Sequence, residues 1–149
     1  MGDFNKMKTE LLLNFYADEI CWFLDVSKKD IFLKRKDRHL ADIRAMICYL
    51  VKKQYSKAVL QHIAEYFGQT HATVLHSIDK IEDLRNLDEK IKRTIEHCEN
   101  VSFRESIFLK KLVVKSAVML DVDMFSGGGG IDAFFTKILN YYENYYEKK

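Results

Sequence analysis

Proline is absent from the 149 residues, and glycine occurs only six times, four of them in the run Gly127 to Gly130. A chain so poor in backbone breakers, with abundant Leu, Ile, Lys and Glu, reads as mostly helical. Cysteine is scarce too: Cys21, Cys48 and Cys98 form no CxxC pair and lie inside apolar helical patterns. They are expected to be buried free thiols in a reducing compartment, with no zinc site. No apolar run approaches the roughly 20 residues that cross a bilayer, and no signal-peptide pattern is visible, so the sequence reads as a soluble, cytoplasmic protein.

Charge is nearly balanced overall, at +2, but not along the chain. Residues 28–62 hold Lys28, Lys29, Lys34, Arg35, Lys36, Arg38, Arg44, Lys52, Lys53 and Lys57 against only Asp30, Asp37 and Asp42, a local excess of +7. A basic block of this kind suits a polyanion partner, whatever the total charge. With 48% hydrophobic residues, the chain can also bury a core.

Apolar spacing predicts the helices. Met7, Leu11, Phe15, Cys21 and Leu24 mark one over about Lys6 to Leu24. Asp25-Val26-Ser27 ends it, and Ser27 is placed to cap a short helix through Ile31 and Phe32. Leu40, Ile43, Ile47, Leu50 and Val51 mark a longer helix from about Leu40 to Gln54. After a break at Tyr55-Ser56-Lys57, a short helix carries Val59, Leu60, Ile63, Ala64 and Phe67 and stops at Gly68, where a left-handed backbone is expected. Thr70 then caps another, with Val74, Leu75, Ile78, Ile81 and Leu84 as its core stripe, running on through a charged face to about Cys98. A longer scaffold helix followed by two helices around a Gly-containing turn is a helix-turn-helix pattern. Asn100-Val101 breaks the chain again, and Ser102-Phe103-Arg104-Glu105 matches a capping box opening an apolar helix through Leu120. Ser126 and the four glycines lead into an aromatic amphipathic segment, Ile131 to Tyr146, which is too short to stand alone in water. It needs a surface on this chain, a second copy or a protein partner. The glycine tract also resembles an engineered linker carrying a peptide. The organisation expected is therefore 1–99 as a helix-turn-helix domain, 100–126 as a helical extension, and 127–149 as linker plus aromatic helix.

The segment from Asp30 to Leu84 resembles the C-terminal DNA-binding domain of the bacterial replication initiator DnaA. The likeness rests on Phe67-Gly68-Gln69-Thr70-His71-Ala72-Thr73-Val74-Leu75-His76, followed by Ile78, Lys80-Ile81-Glu82 and Leu84. The family pattern is Gly-Arg-Asp-His-Thr-Thr-Val-Leu-His, and Gly68, His71, Thr73, Val74, Leu75 and His76 keep it. Upstream, Asp30-Ile31 and Lys34-Arg35-Lys36-Asp37-Arg38 are similar to the family's basic loop, and Arg44 stands where the family places an Arg near the start of its scaffold helix. The resemblance implies an all-α fold of the DnaA C-terminal (TrpR-like) type, here with an added N-terminal helix and a C-terminal helical extension. It implies double-stranded DNA as the partner, in replication control or transcription regulation.

The DNA-contacting residues it implies are Lys34, Arg35, Lys36, Arg38, Arg44, Lys57, Gln69, Thr70, His71, Thr73 and His76. A helix N-terminus offers unpaired amides and partial positive charge to phosphate, and first-turn side chains can reach base edges. Arg44 is expected to clamp a phosphate or read guanine, and His76 either to pack beneath the recognition helix or to touch DNA. Gln69, Thr70, Ala72 and Ala45 depart from the family's Arg, Asp, Thr and Gln, each removing a group able to bond a base or hold a neighbour. They point to another recognised sequence, weaker binding, or a protein-interaction module that kept the fold. No phosphate loop GxxxxGK[ST] occurs in the sequence, and no nucleophile–base pair or paired carboxylates stand out, so neither ATPase activity nor catalysis, cofactor or metal is expected. His71 and His76 are five residues apart and do not share a helix face as joint metal ligands.

Overall fold

The computed structural model describes residues 2–33 and 37–101. Five α-helices follow in order: α1 (Gly2–Phe23), α2 (Arg38–Gln54), α3 (Leu60–Phe67), α4 (His71–Leu84) and α5 (Glu89–Asn100), with a 3₁₀ turn over Lys28–Phe32 before α2. There is no strand among the described residues, and the fold is the all-α helix-turn-helix type that the sequence implied. Residues 34–36 of the expected basic loop 34–38, the capping box at Ser102, the extension to residue 126 and the aromatic segment all lie outside the described residues, while Asp37 and Arg38 of that loop begin α2.

Local chemistry sets the helix ends. Asp25, at φ 55°, closes α1 in a left-handed conformation that a short polar side chain tolerates, and the Val26 amide donates back to the Cys21 carbonyl at 2.8 Å. Ser27 sits at the head of the 3₁₀ turn but makes no side-chain cap, contrary to expectation, because a five-residue turn with i→i+3 bonds leaves few amides to cap. Asp37 caps α2 by accepting from the His39 amide at 2.9 Å. The helix expected to run from Thr70 to about Cys98 is instead two. α4 stops at Leu84, and Asp88 accepts from the Ile91 amide at 3.1 Å to start α5. The same acids and bases that read as one solvated face thus include an N-cap.

The core lies between α1, α2 and the last two helices. α2 packs on α1, α4 and α5, and α1 also touches α3 and α5. Ile43, Met46, Ile47 and Val51 of α2, Leu13 and Ile20 of α1, Ile63 of α3, Ile81 of α4 and Ile91 and Ile95 of α5 are all essentially inaccessible. Each such aliphatic side chain contributes roughly 1.5–3 kcal/mol through burial. α1 is buried nearly all round between Phe15 and Cys21, which includes two acids, Asp18 and Glu19. Lys28 approaches Asp18 at 3.1 Å, and His97 Nε2 lies 3.4 Å from Glu19, so both carboxylates meet nitrogen bases from elsewhere in the fold. Among the described residues no helix is long and apolar enough to cross a membrane.

The three cysteines are buried and free. Burial pushes the thiols of Cys48 and Cys98 from an ordinary value near 9 up to about 12. The native state therefore keeps protons that the unfolded chain releases. That contribution is whole below pH 9 and is lost progressively between pH 9 and 12. Urea melts should show stability falling across that window, with a shallower fall for Cys48→Ala. A melting profile equally steep in the variant would assign the loss to other groups.

Candidate nucleic-acid interface

α3 and α4 are joined by a turn of three residues. Gly68, at φ 63° and ψ 35°, ends α3 in the left-handed region, and the Gln69 amide donates to the Ala64 carbonyl at 2.9 Å. A Cβ on Gly68 would meet nothing within 4 Å, so the glycine is needed for its backbone and not for space. Gly68→Ala is expected to cost about 1–2 kcal/mol in a denaturant melt, with Gly68→Asn costing less. Equal stability of all three proteins would contradict the turn geometry.

Thr70 opens α4. Its Oγ1 accepts from the Thr73 amide at 3.1 Å and shares a 2.8 Å hydrogen bond with the Thr73 hydroxyl. The cap thus ties up the hydroxyls of two side chains that the sequence offered as readers, although both residues remain exposed. The amides it does not satisfy, together with the helix dipole, make this end attractive to an anion.

The other face of α4 is buried. Val74 and Ile81 are inaccessible, and Ile78 and Leu84 are half-buried. Leu75 departs from the expected core stripe. It is 48% exposed, because the buried arc centres on Val74 and Ile81 and Leu75 lies roughly 100° round the helix from Val74. His76 is exposed, so it does not pack beneath the helix. His71, Ala72 and Thr73 are exposed as well. Gln69 is half-buried, and its Oε1 has no hydrogen-bond partner among the described residues.

Two polar links hold α4 on α2. Lys80 Nζ reaches Asp42 Oδ1 at 2.6 Å, and Arg85 donates to the Tyr49 hydroxyl while pairing with Glu99 at 3.1 Å. Burial works to lower the Arg85 pKa, but the Tyr49 hydroxyl and Glu99 raise it, and the net shift is upward. The pairs Lys80–Asp42 and Arg85–Tyr49 run in the same sense along both helices, so the head of α4 lies toward the end of α2 that the basic segment enters.

At that end Arg38 is exposed as the first residue of α2. Arg44 is half-buried. Its Nη1 donates to the carbonyls of Ile31 at 3.0 Å and Leu33 at 3.4 Å, which braces the backbone just before the basic segment. Lys57 is exposed at the opposite end of α2, in the turn before α3, where Asn5 Nδ2 donates to its carbonyl at 3.0 Å. Lys34, Arg35 and Lys36 lie outside the described residues. Sequence reasoning missed two exposed residues of α4, Leu75 and Asp79. With Ala72 and His76 they form an i, i+3, i+4, i+7 line opposite Val74 and Ile81, and the packing of α2 on the other side is what separates this line from the apolar stripe.

The arrangement defines a class: a helix-turn-helix domain with a capped, outward-facing second helix. Residues 17–81 match the family described as the bacterial DnaA protein helix-turn-helix, and this segment is a domain of that type. Among curated proteins, the chromosomal replication initiator protein DnaA of Caldanaerobacter subterraneus subsp. tengcongensis is 28% identical over 87 residues, covering 58% of this chain and 19% of the relative. The DnaA proteins of Brucella abortus biovar 1 and Ehrlichia ruminantium strain Gardel are 33% identical over 72 residues and 31% over 77. These alignments cover 48% and 52% of this chain but only 14% and 17% of the relatives. The chain therefore spans a fifth or less of the relatives' length. No solved structure matches it.

Proposed function

We propose that this domain binds double-stranded DNA, with the exposed face of α4 from His71 to Asp79 in the major groove and the basic segment on the phosphate backbone. The observation that carries this reading is the head of α4. Its inner face is locked into the core by Val74 and Ile81, while His71, Ala72, Leu75 and His76 stand exposed beside a capped N-terminus. His76 and His71 supply hydrogen-bonding groups for purine acceptors, and the methyls of Thr73 and Ala72 suit thymine. Lys34, Arg35, Lys36, Arg38 and Lys57 supply phosphate contacts, and Arg44 braces the backbone at Ile31 and Leu33, just before that segment. The protein then acts in the cytoplasm, in replication control or transcription regulation, with no ATPase activity of its own. Selection from a random duplex pool tests this: an enriched motif is expected, and a pool that stays random, with no duplex retained at low salt, contradicts it.

A second reading is favoured by one surface. Trp22 is 62% exposed and Phe23 39% exposed, with the His97 ring stacked on Phe23 at 4.3 Å. An aromatic patch on the α1–α5 side suits a protein partner or a second copy, engaged through residues 131–146 or directly. The two readings use opposite features and can be separated by where binding is felt.

A further inference from the structure

The exposed line on α4 ends in an acid. Ala72, Leu75, His76 and Asp79 are all exposed, at i, i+3, i+4 and i+7, within an arc of about 100° and over roughly 11 Å of helix. Homeodomain recognition helices read bases with this same i, i+3, i+4, i+7 spacing. A groove about 12 Å wide can accept the whole line.

Asp79 differs in kind from its neighbours. Lys80, the next residue, is committed to Asp42 at 2.6 Å on the flank of the helix. Asp79 is exposed, and its side chain has no hydrogen bond or ion pair among the described residues, so no contact within them accounts for its carboxylate. On a face turned to DNA phosphate, an unpaired acid is a repulsive charge, unless it meets a donor. Only the exocyclic amines of cytosine and adenine offer donors in the major groove. Adenine sets the N7 acceptor beside its amine, which repels a carboxylate, whereas cytosine N4 has no acceptor beside it on its own base.

Resting on the DNA-binding reading above, we propose that Asp79 is a specificity-determining residue that accepts a hydrogen bond from cytosine N4, two turns beyond the head of the recognition helix. It selects a cytosine at one position and penalises bases that present an acceptor there. Ala72 and Leu75 beside it add only apolar contact, so this position carries its own preference.

The test is selection from a random duplex pool by the full chain and by its Asp79→Ala and Asp79→Asn variants. Far-UV circular dichroism checks the fold of each. Wild type should enrich cytosine at one position by roughly 5- to 100-fold over the other bases. Asp79→Ala should lose that preference alone. Asp79→Asn should turn it toward adenine, which an amide can bond at both N6 and N7. An Asp79→Ala motif identical to wild type, with affinity raised equally for every sequence, overturns the proposal and leaves Asp79 as a mere repulsive charge. A wild-type preference for adenine at the affected position also overturns it. Failure of the wild type to retain any duplex would overturn the DNA-binding reading itself, and this proposal with it.

Discussion

Replacing Lys34, Arg35, Lys36 and Arg38 together by Ala is expected to remove most duplex affinity at low salt and to flatten its salt dependence. Each cation on a phosphate releases condensed counterions, and each contributes about 0.9 to the slope of log affinity against log salt. Four lost contacts lower that slope by roughly 3–4. Between 50 and 200 mM salt, the wild type should then lose roughly 100-fold more affinity than the variant does. The fold should survive. Arg38 is exposed, and the Asp37 cap that starts α2 does not depend on it. Arg44 is left in place, since it holds backbone carbonyls and its loss would confuse charge with structure. Fluorescence anisotropy with a labelled duplex at several salt concentrations measures the slope. A variant with the wild-type slope would place the phosphate contacts elsewhere.

Ile81→Ala should cost about 2–5 kcal/mol, because the side chain is fully buried and a cavity remains when it is cut back. Ile81 is buried on α4, which packs against α2, α3 and α5, so its loss loosens the recognition helix together with the core. Against a total stability on the order of 5–15 kcal/mol this is a large fraction. The melting temperature should fall by roughly 10 °C or more. Asp83→Ala, two residues along on the opposite, exposed side of the helix, is the control and should stay within about 0.5 kcal/mol of wild type. At temperatures where Ile81→Ala is still folded, its duplex affinity should change little, since Ile81 faces away from the exposed line. Matching melts for the two variants would contradict the packing described for α4.

Features written in short-range chemistry were legible in the sequence. Gly68 needed a left-handed backbone, Thr70 had a free amide in reach, and Asp25 stood where a helix pattern stopped. Each is decided within four residues. The errors arose where the deciding partner is distant. Leu75 has the right spacing for a core stripe, since two neighbouring arcs of a 14-residue helix both look apolar, and only the position of α2 shows which arc is covered. Asp88 looked like one more charge on a solvated face until the chain turned there to start α5. Asp18 and Glu19 gave no hint of burial, because their basic neighbours, Lys28 and His97, come from the 3₁₀ turn and from α5. Arg44 was visible as a cation, but its carbonyl partners depend on how Ile31 and Leu33 fold back toward α2. The helix-turn-helix was thus readable as a pattern. Which side chains of α4 face outward was not.

The most direct measurement is a nuclear magnetic resonance titration of the ¹⁵N-labelled chain with an enriched duplex. Amide shifts should move at Gln69 to Asp79 and around Arg38, while those of Trp22, Phe23 and His97 stay still. Shifts confined to Trp22, Phe23 and α5, or no shifts at low salt, would contradict the assignment of α4 as the DNA-reading helix.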